Sequence, residues 1–363
     1  MKVLIVIGHP AHFHLFKNLI DKLQNNGHRV KIAITEKDLL TKLLEENNYE
    51  YVIISARKKN ENIIDKAIKI IKSSIKLNRL VDEFKPDVMA GCLTQMALIS
   101  RLRRVPSFFI GEDDINYTML QGIITYPFIF KIIAPELTKV GFFKYKKIGY
   151  CGFQKLTYLH PNCFESNLGI IPEINNNRPY FLFRLVNLNA YHDKNILGLS
   201  ESILDRIIER LQLIGTIYIS SENSLGEKYH KYKLPIKTSH IHHLIYFADI
   251  YIGDSQSMAV EAAMLGTPSI RFNDFAGKIS VLEELEHKYQ LTFGIKPSEP
   301  EKLFQKIEEL LATPDLKAEF QKRRQKMLDD KIDVTAFMVW FIENYPQSAK
   351  TMKENPDFQY KFK

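Results

Sequence analysis

The sequence predicts an α/β fold of two domains of similar size, each built around a parallel sheet. The chain has 363 residues, which is too long for one ordinary hydrophobic core and suits two. Short apolar runs rich in β-branched residues alternate with helical patterns from the first residue, as in consecutive βαβ units. The alternation is interrupted over residues 165–178, a stretch rich in Asn and Pro that is centred on Asn175-Asn176-Asn177. We therefore predict one domain over residues 1–165, a second over 166–330, and a cleft between them.

The first half begins with a strand, and a helix over Phe13–Asn26 follows it and ends at Gly27. Each later strand is apolar and is flanked by a helical segment, which favours a sheet covered by helices on both faces. The predicted strands are Val3–Ile7, Arg29–Thr35, Tyr51–Ile54, Val88–Gly91, Ser107–Ile110 and Ile129–Ala134.

The second half repeats this pattern and then becomes helical from Leu303 onward, with a last helix over Val334–Asn344 that Pro346 stops. Helices over Ser200–Leu211 and Ser257–Leu265 separate the strands of a second parallel sheet. The predicted strands are Tyr180–Leu185, Thr216–Ser220, Asp249–Ile252 and Ser269–Phe272.

The composition is that of a soluble globular protein, with 45% hydrophobic and 25% charged residues. The apolar run Val3–Ile7 is too short for a signal peptide, and no later run is long enough to span a bilayer, so we expect a cytoplasmic location. Cys92, Cys151 and Cys163 lie in no metal-binding or redox spacing. We interpret them as reduced thiols without a function.

The chain is basic, with 50 Lys and Arg against 42 Asp and Glu and a net charge of +8. Such a charge suits several polyanionic partners and does not choose among them; we predict no nucleic-acid partner. Two clusters are compatible either with solvated surfaces or with peripheral contact to an anionic membrane at its inner face. The first is a helix face with Lys66, Lys69, Lys72, Lys76 and Arg79, and the second, residues 139–147, contains Lys139, Phe142, Phe143, Lys144, Tyr145, Lys146 and Lys147.

The most informative segment is the turn after the strand Asp249–Ile252. Gly253 permits a sharp turn, and Asp254 to Ser257 open a helix, so free backbone N–H groups and the helix dipole form an anion site. With the hydroxyls of Ser255 and Ser257, this site suits a diphosphate. Glu261, one turn further along, could accept hydrogen bonds from both hydroxyls of a ribose. The alternative is an ordinary N-cap followed by an exposed Glu.

The run GDSQSMAVEAAMLGTPSIR, residues 253–271, resembles the donor-site motif of the GT-B superfamily that includes the non-hydrolysing UDP-GlcNAc 2-epimerases. That motif reads DSGG followed by Glu, small residues, Gly, any residue and Pro. The twin Gly is replaced by Gln256-Ser257, so the backbone is expected to approach the phosphates less closely. The matching residues are Asp254, Ser255, Glu261, Gly266 and Pro268.

More of the chain resembles a little-characterised prokaryotic family, held to be glycosyltransferases, that neighbours those epimerases. The resemblance rests on Gly8-His9-Pro10-Ala11-His12, Tyr150–Leu159 and His243–Arg271. It implies a GT-B fold: two Rossmann-like domains whose parallel sheets face an interdomain cleft. It also implies that residues 331–363 pack back on the first domain, and that a UDP-linked sugar is the donor substrate, with no other cofactor and no metal.

Further donor contacts are predicted at strand ends. Arg184 ends a strand where a guanidinium could neutralise a leaving diphosphate, although a surface salt bridge is the alternative. By resemblance to GT-B proteins, Ser220 and His242 are placed near the nucleobase, with a core or capping histidine as the alternative for His242. The full predicted donor set is Gly8, His9, Arg184, Ser220, His242, Asp254, Ser255, Gln256, Ser257, Met258 and Glu261.

The first domain is expected to bind the acceptor and to supply a catalytic base. His12 is the first candidate, because imidazole titrates near neutral pH and the turn lies after the first strand. His14 is expected to pack or to meet solvent. Glu112 and Asp113, which follow the strand Ser107–Ile110, could act as base or orient a histidine, or could form a solvated acidic loop.

These features predict a metal-independent glycosyltransferase that acts on a polysaccharide or glycolipid acceptor. The first alternative is a 2-epimerase, which is disfavoured because Gly8-His9-Pro10 and Phe183–Asn187 depart from the epimerase motifs. The second is a metal-dependent hydrolase using the pairs His12-x-His14 and His240-x-His242-His243, which would need an eightfold βα barrel. The third is a non-catalytic nucleotide-sugar-binding protein.

Overall fold

The computed structural model describes residues 1–56, 63–174, 178–186, 198–221 and 225–363. The predicted boundary residues Asn175-Asn176-Asn177 and the end of the run Phe183–Asn187 lie outside the described residues. The described chain forms two compact units. Unit 1 comprises Met1–Cys163 with Lys331–Lys363, and unit 2 comprises Phe164–Asp330.

The strands within the described residues are β1 Lys2–Ile7, β2 Arg29–Glu36, β3 Tyr51–Ala56, β4 Val88–Gly91, β5 Ser107–Ile110, β6 Lys131–Pro135, β7 Lys147–Tyr150, β8 Tyr180–Leu185, β9 Thr216–Ser221, β10 Ile250–Gly253, β11 Ser269–Phe272 and β12 Thr292–Ile295.

The α-helices of the same residues are α1 Pro10–Asn25, α2 Asp38–Glu46, α3 Ile63–Phe84, α4 Thr94–Arg103, α5 Met119–Thr125, α6 Leu156–Leu159, α7 Glu201–Leu211, α8 Ile241–Phe247, α9 Gln256–Leu265, α10 Ser280–His287, α11 Pro300–Leu311, α12 Leu316–Asp330, α13 Val334–Glu343 and α14 Gln347–Glu354. Short 3-10 helices lie at Gly141–Lys146, Leu168–Ile170, Glu227–Tyr232, Thr238–His240 and Pro356–Phe362.

Unit 1 is built on a sheet with the order β3-β2-β1-β4-β5-β6-β7. Every recorded strand pair in it is parallel. Strand β1 lies inside this sheet, between β2 and β4, and is buried from Val3 to Ile7, as expected for a strand covered on both faces. Gly91 permits β4 to approach β1, since a Cβ there would lie 2.1 Å from the carbonyl oxygen of Val6.

The C-terminal segment completes the core of unit 1. Asp333 caps α13 by accepting a hydrogen bond from the N–H of Ala336, and α13 then packs against α1 and α6. On its other side, the ring of Trp340 stacks on that of Phe358 with 4.7 Å between centroids, and Phe337 is fully buried. Helix α13 is therefore an integral part of this unit.

Unit 2 is built on a smaller parallel sheet with the order β12-β11-β10-β8-β9. The sequence-based prediction of an α/β fold with two parallel sheets is confirmed. It missed two edge strands, β7 and β12, in which Gly149 and Gly294 interrupt a short apolar run before the strand ends.

The exposed surface of helix α3 is less uniformly basic than predicted. Lys72, Lys76 and Arg79 are exposed, but so are the apolar side chains of Ile68, Ile71 and Ile75. Of the described residues, none belongs to a helix that is both long enough and apolar enough to cross a membrane. Cys92 is buried, Cys151 and Cys163 are half-buried, and none of the three forms a disulfide with a described residue.

Candidate functional site

The sheet of unit 2 has a topological switch point between β8 and β10. From β8 the chain moves outward to β9 on one side, then returns to β10 and continues to β11 and β12 on the other. In open parallel sheets, ligands bind outside the carboxyl ends of the strands at such a point. We therefore expect a ligand site at the carboxyl ends of β8 and β10.

Three predicted residues meet at this edge in exact strand register. Arg184 on β8 pairs with Gly253 on β10 and with Ser220 on β9. Its Nη1 donates a hydrogen bond to the Ser220 hydroxyl at 2.8 Å, and the side chain is half-buried. Because the hydroxyl orients the guanidinium, Arg184 is fixed at the switch point.

The turn after β10 is tied to β8 by Asp254. The backbone N–H of Asp254 donates to the Arg184 carbonyl at 3.3 Å, and its carboxylate accepts from the N–H of Val186 at 2.8 Å. Gly253 is required here, since a Cβ would lie 2.6 Å from the same Arg184 carbonyl oxygen. Asp254 is buried and holds the turn against β8.

Helix α9 begins at this turn and presents its amino end. Ser255 is the N-cap: its Oγ accepts from the N–H of Met258 at 3.3 Å. No described residue accepts a hydrogen bond from the N–H groups of Ser255, Gln256 or Ser257. Ser257 is exposed, and Ser255, Gln256 and Met258 are half-buried. The predicted anion site is thus present as an accessible helix start with unused donors.

A buried polar network holds the turn in place. Asn273 donates to the Asp254 carbonyl at 2.9 Å and accepts from the Gln256 amide at 2.6 Å. Arg271, fully buried, contacts the Gln256 amide oxygen at 3.4 Å and the Glu286 carboxylate at 2.6 Å. Burial lowers the pKa of the Arg271 guanidinium, and the Glu286 carboxylate opposes that shift. The network fixes Gln256, which replaces the first Gly of the motif.

Glu261 and His242 come together on neighbouring helices. The Glu261 Oε1 lies 3.6 Å from the His242 Nε2, and 12% of the Glu261 side chain is exposed. The ring of Phe164 packs edge-on against His242, with 6.2 Å between ring centroids, and at a tilt against His243, with 4.9 Å between centroids. Burial, with the neighbouring histidines, lowers the pKa of His243. The predicted ribose residue Glu261 and the predicted base residue His242 therefore lie together, whereas Ser220, also predicted to lie near the base, bonds Arg184 on β8.

In unit 1, the turn after β1 is shaped by two of its histidines. Gly8 packs closely on Leu93 and Thr35, where a Cβ would lie 3.0 and 3.2 Å from side-chain atoms. His9 is the N-cap of α1, and its Nδ1 accepts from the N–H of Ala11 at 3.2 Å. His9 thus has a structural role that the sequence analysis did not assign to it.

His12 is held in one tautomer. Its Nδ1 accepts a hydrogen bond from the N–H of Gly8 at 3.2 Å, so the proton of the neutral ring lies on Nε2. Burial, and then the nearby His9, Lys155 and Lys37, lower the pKa of His12 to about 3. A neutral ring that carries its proton on Nε2 suits a hydrogen-bond donor and does not favour the predicted role of base.

Glu112 also has a partner that the sequence did not reveal. Its carboxylate accepts from the Lys155 ammonium at 2.9 Å and from the N–H of Gln154 at 3.2 Å, and both charged side chains are largely buried. Glu112 is therefore held in place by two contacts from the segment Tyr150–Leu159. Asp113, the third predicted catalytic residue, is exposed at the end of β5 beside Tyr126 and Cys92.

The metal-hydrolase alternative does not fit the architecture. His12 and His14 belong to unit 1, and His240 and His242 to unit 2. Each unit is built on an open sheet, whereas that alternative needs a closed eightfold barrel. Within the described residues, no group of three or more His, Cys, Asp or Glu is arranged to bind a metal ion. His14 packs against Tyr158, with 5.5 Å between ring centroids.

The sequence analysis missed several residues of these two sites, and each had a signal. Arg271 is a charged residue inside the apolar strand β11, and Asn273 follows that strand at its carboxyl end. Lys155 lies in the segment Tyr150–Leu159, which was already singled out for its resemblance. A polar residue inside or just after a buried strand indicates either a satisfied network or a ligand.

Comparison with known proteins agrees with this architecture. Residues 1–291 match the family described as "Protein of unknown function (DUF354)". The chain belongs to the DUF354 family. A relative of this DUF354 protein is the uncharacterized protein MJ0665 of Methanocaldococcus jannaschii, which is 24% identical over 291 residues, or 74% of this chain and 81% of the relative.

Solved structures with the same fold fall into two functional groups. UDP-GlcNAc 2-epimerase from Neisseria meningitidis, bound to UDP-GlcNAc, aligns over 95% of the DUF354 chain and 100% of its own, with 16% identity and a TM-score of 0.67. The epimerase from Methanocaldococcus jannaschii aligns over 86% and 93%, with 16% identity and a TM-score of 0.60. The spinosyn rhamnosyltransferase SpnG, complexed with spinosyn aglycone, aligns over 95% and 100%, with 14% identity and a TM-score of 0.61. The predicted GT-B class with two Rossmann-like domains is confirmed.

The neutral state of His12 predicts a pH dependence of stability for the DUF354 chain. The unfolded ring titrates near pH 6.5 and the folded ring at about 3, so the unfolded state binds more protons between these values. The stability due to the neutral ring is full above pH 6.5 and is lost as the pH falls. Between about pH 7 and pH 5, the unfolding free energy of the unaltered protein should fall because of this ring. In His12→Asn, whose amide oxygen can still accept from Gly8, that fall should be smaller by roughly 1–2 kcal/mol.

Urea unfolding, followed through the fluorescence of Trp340, measures this effect, because Trp340 is the chain's single tryptophan and lies in unit 1. His287→Asn is the matched control, since it removes a mostly exposed imidazole from unit 2. An unchanged pH dependence in the His12 variant would show that this ring is protonated in the folded protein at pH 5.

Proposed function

We propose that this protein is a metal-independent glycosyltransferase that moves a sugar from a UDP-linked donor to a hydroxyl group of a polysaccharide or glycolipid. The observation that carries the proposal is the helix start at Ser255, which lies at the switch point of the second sheet beside Arg184. Two linked phosphates are the ligand that this combination of N–H donors and a guanidinium fits best.

The diphosphate is assigned to the amino end of α9. The N–H groups of Ser255, Gln256 and Ser257 point their partial positive charge at it, and the helix dipole adds to their field. Because the Ser255 Oγ accepts from Met258, its own proton remains for donation to a phosphate oxygen. Arg184 would then neutralise the charge that develops as UDP leaves, which is the largest electrostatic demand of the reaction.

The nucleoside is assigned to the cluster of Glu261, His242 and Phe164. A carboxylate has four lone-pair sites, so its contact with His242 still leaves capacity to accept from a ribose hydroxyl. The ring of Phe164 adds an aromatic surface beside the histidines, which suits a planar base. Gly8 and His9 remain predicted donor contacts in the first unit.

The acceptor chemistry is assigned to the first unit. The acceptor oxygen attacks the anomeric carbon, its proton passes to the base, and the bond to UDP breaks with the electron pair leaving on the phosphate. Asp113 is the base in this proposal, since it is exposed just after β5, whereas the Nδ1 of His12 already accepts from the N–H of Gly8. His12 then donates a hydrogen bond through Nε2 to the acceptor or to the sugar.

A 2-epimerase activity is the second candidate, and it is favoured by the fold it shares with the two epimerase structures. Epimerisation needs groups that remove and return the proton at C2 of the sugar. The sequence departs from the epimerase motifs in both of the segments that would supply them. Transfer is therefore the reaction that we propose.

UDP should stabilise the protein through Arg184 and Glu261. A ligand that binds only the folded state at 100 times its Kd adds about 2.7 kcal/mol, which is several degrees in Tm for a chain of this size. Thermal denaturation with and without UDP measures the shift. Arg184→Ala and Glu261→Ala should each remove most of it, because each loses a charge-assisted contact.

Two exposed residues of unit 2 serve as matched controls for these variants. Arg178→Ala and Glu209→Ala remove the same groups from the surface, and both should keep the full shift with UDP. A full shift in the Arg184 and Glu261 variants would reject the assignment of these residues.

The reaction itself distinguishes transfer from epimerisation. In deuterated water with UDP-sugars and a panel of glycan and lipid-linked acceptors, we expect free UDP only when an acceptor is present, and no deuterium at C2. Asp113→Asn should abolish UDP release while the thermal shift with UDP remains, because a base acts only on the acceptor. Deuterium at C2 without an acceptor would instead identify an epimerase, and binding without any turnover would leave a sugar-nucleotide-binding protein.

A further inference from the structure

Unit 1 displays a group of large apolar side chains that no described residue covers. They come from α5 and from the 3-10 helix Gly141–Lys146, and we refer to them as the α5 surface. Phe142 is 96% exposed and Leu120 is 71% exposed, values that are unusual for side chains of this size. The α5 surface consists of Met119, Leu120, Ile123, Phe142 and Tyr145.

The two segments are joined rigidly, so the exposure is built into the fold. The Lys146 ammonium donates to the carbonyls of Tyr126, Pro127 and Ile129 at 2.9, 2.7 and 2.8 Å, just after α5 ends. The ring of Phe143 packs edge-on against Tyr126 at 5.5 Å, while its neighbour Phe142 faces solvent. The structure thus anchors one Phe of the pair and presents the other.

Several cations border the α5 surface. Residues 115–147 contain five Lys and one acidic residue, Glu136, and follow the acidic residues Glu112, Asp113 and the buried Asp114. Lys146 and Lys147 are used within the fold, but Lys139 and Lys144 are exposed. Arg101, at the end of α4, is also exposed and acts electrostatically on Lys146, which places it on the same side. Apolar side chains surrounded by cations match an interface of anionic headgroups above acyl chains.

We propose that the α5 surface docks unit 1 on an anionic lipid bilayer. Phe142 and Leu120 would enter the boundary between headgroups and acyl chains, while Lys139, Lys144 and Arg101 contact lipid phosphates. This inference does not depend on the proposed transfer reaction, because docking is measured without any sugar nucleotide.

The test is flotation of the full-length protein with vesicles. Vesicles of equal parts phosphatidylglycerol and phosphatidylcholine should carry the protein to the top of the gradient, and vesicles of phosphatidylcholine alone should carry much less. Phe142→Ser with Leu120→Ser should lower the partition coefficient at least about tenfold, because two buried apolar side chains are lost. Lys139→Gln with Lys144→Gln should lower it by roughly the same factor, and only on the anionic vesicles.

Matched controls lie on unit 2. Leu213 is 75% exposed, so Leu213→Ser removes a comparable apolar side chain, and Lys322→Gln with Lys326→Gln removes two exposed cations. Both controls should bind vesicles like the unaltered protein. Circular dichroism melting curves check that every variant is folded, which the exposure of the replaced side chains favours.

Three results would overturn the proposal. The first is binding to anionic vesicles no stronger than to phosphatidylcholine alone. The second is unaltered binding by both α5-surface variants. The third is a dimer in sedimentation velocity that Phe142→Ser with Leu120→Ser dissociates, without vesicle binding, since a second copy of the chain would then be the partner of this surface.

Discussion

The attachment of the Asp254 turn to strand β8 is the constraint on which the candidate site depends. Two hydrogen bonds of this residue tie the loop after β10 to its neighbour across the switch point: its N–H donates to the Arg184 carbonyl, and its carboxylate accepts from the N–H of Val186. Gly253 is the residue that fits there, because the two backbones approach too closely for a side chain. From this attachment follow the direction of α9, the accessibility of its first N–H groups, and the position of Arg184 beside them.

Much of the fold and part of the site could be predicted from the sequence, because those features are local. The alternation of apolar strands with amphipathic helices predicts two parallel sheets, and Gly253 followed by Asp and Ser predicts the helix start. Two contacts could not be predicted, since each joins residues separated by at least 17 positions in the sequence. They are the ion pair of Lys155 with Glu112 and the hydrogen bond of Gln256 with Asn273. Their pairing depends on strand order and register, which local patterns do not specify.

Tertiary environment also changes the chemistry of residues whose positions were predicted well. His12 lies in the turn after β1, yet a single hydrogen bond from Gly8 sets its tautomer, and burial keeps it neutral. Glu112 follows β5, yet its carboxylate forms an ion pair with the Lys155 ammonium 2.9 Å away. In both cases the residue type allowed a base, and the surroundings favour a positioning or donor role.

Hydrogen–deuterium exchange of the full-length protein, with and without UDP, tests the central claim most directly. The account predicts that UDP slows exchange in peptides covering residues 253–258, because phosphate oxygens would accept from amides that have no acceptor among the described residues. Slowed exchange elsewhere, with unchanged exchange in this turn, would show that UDP binds at another place and would contradict the account.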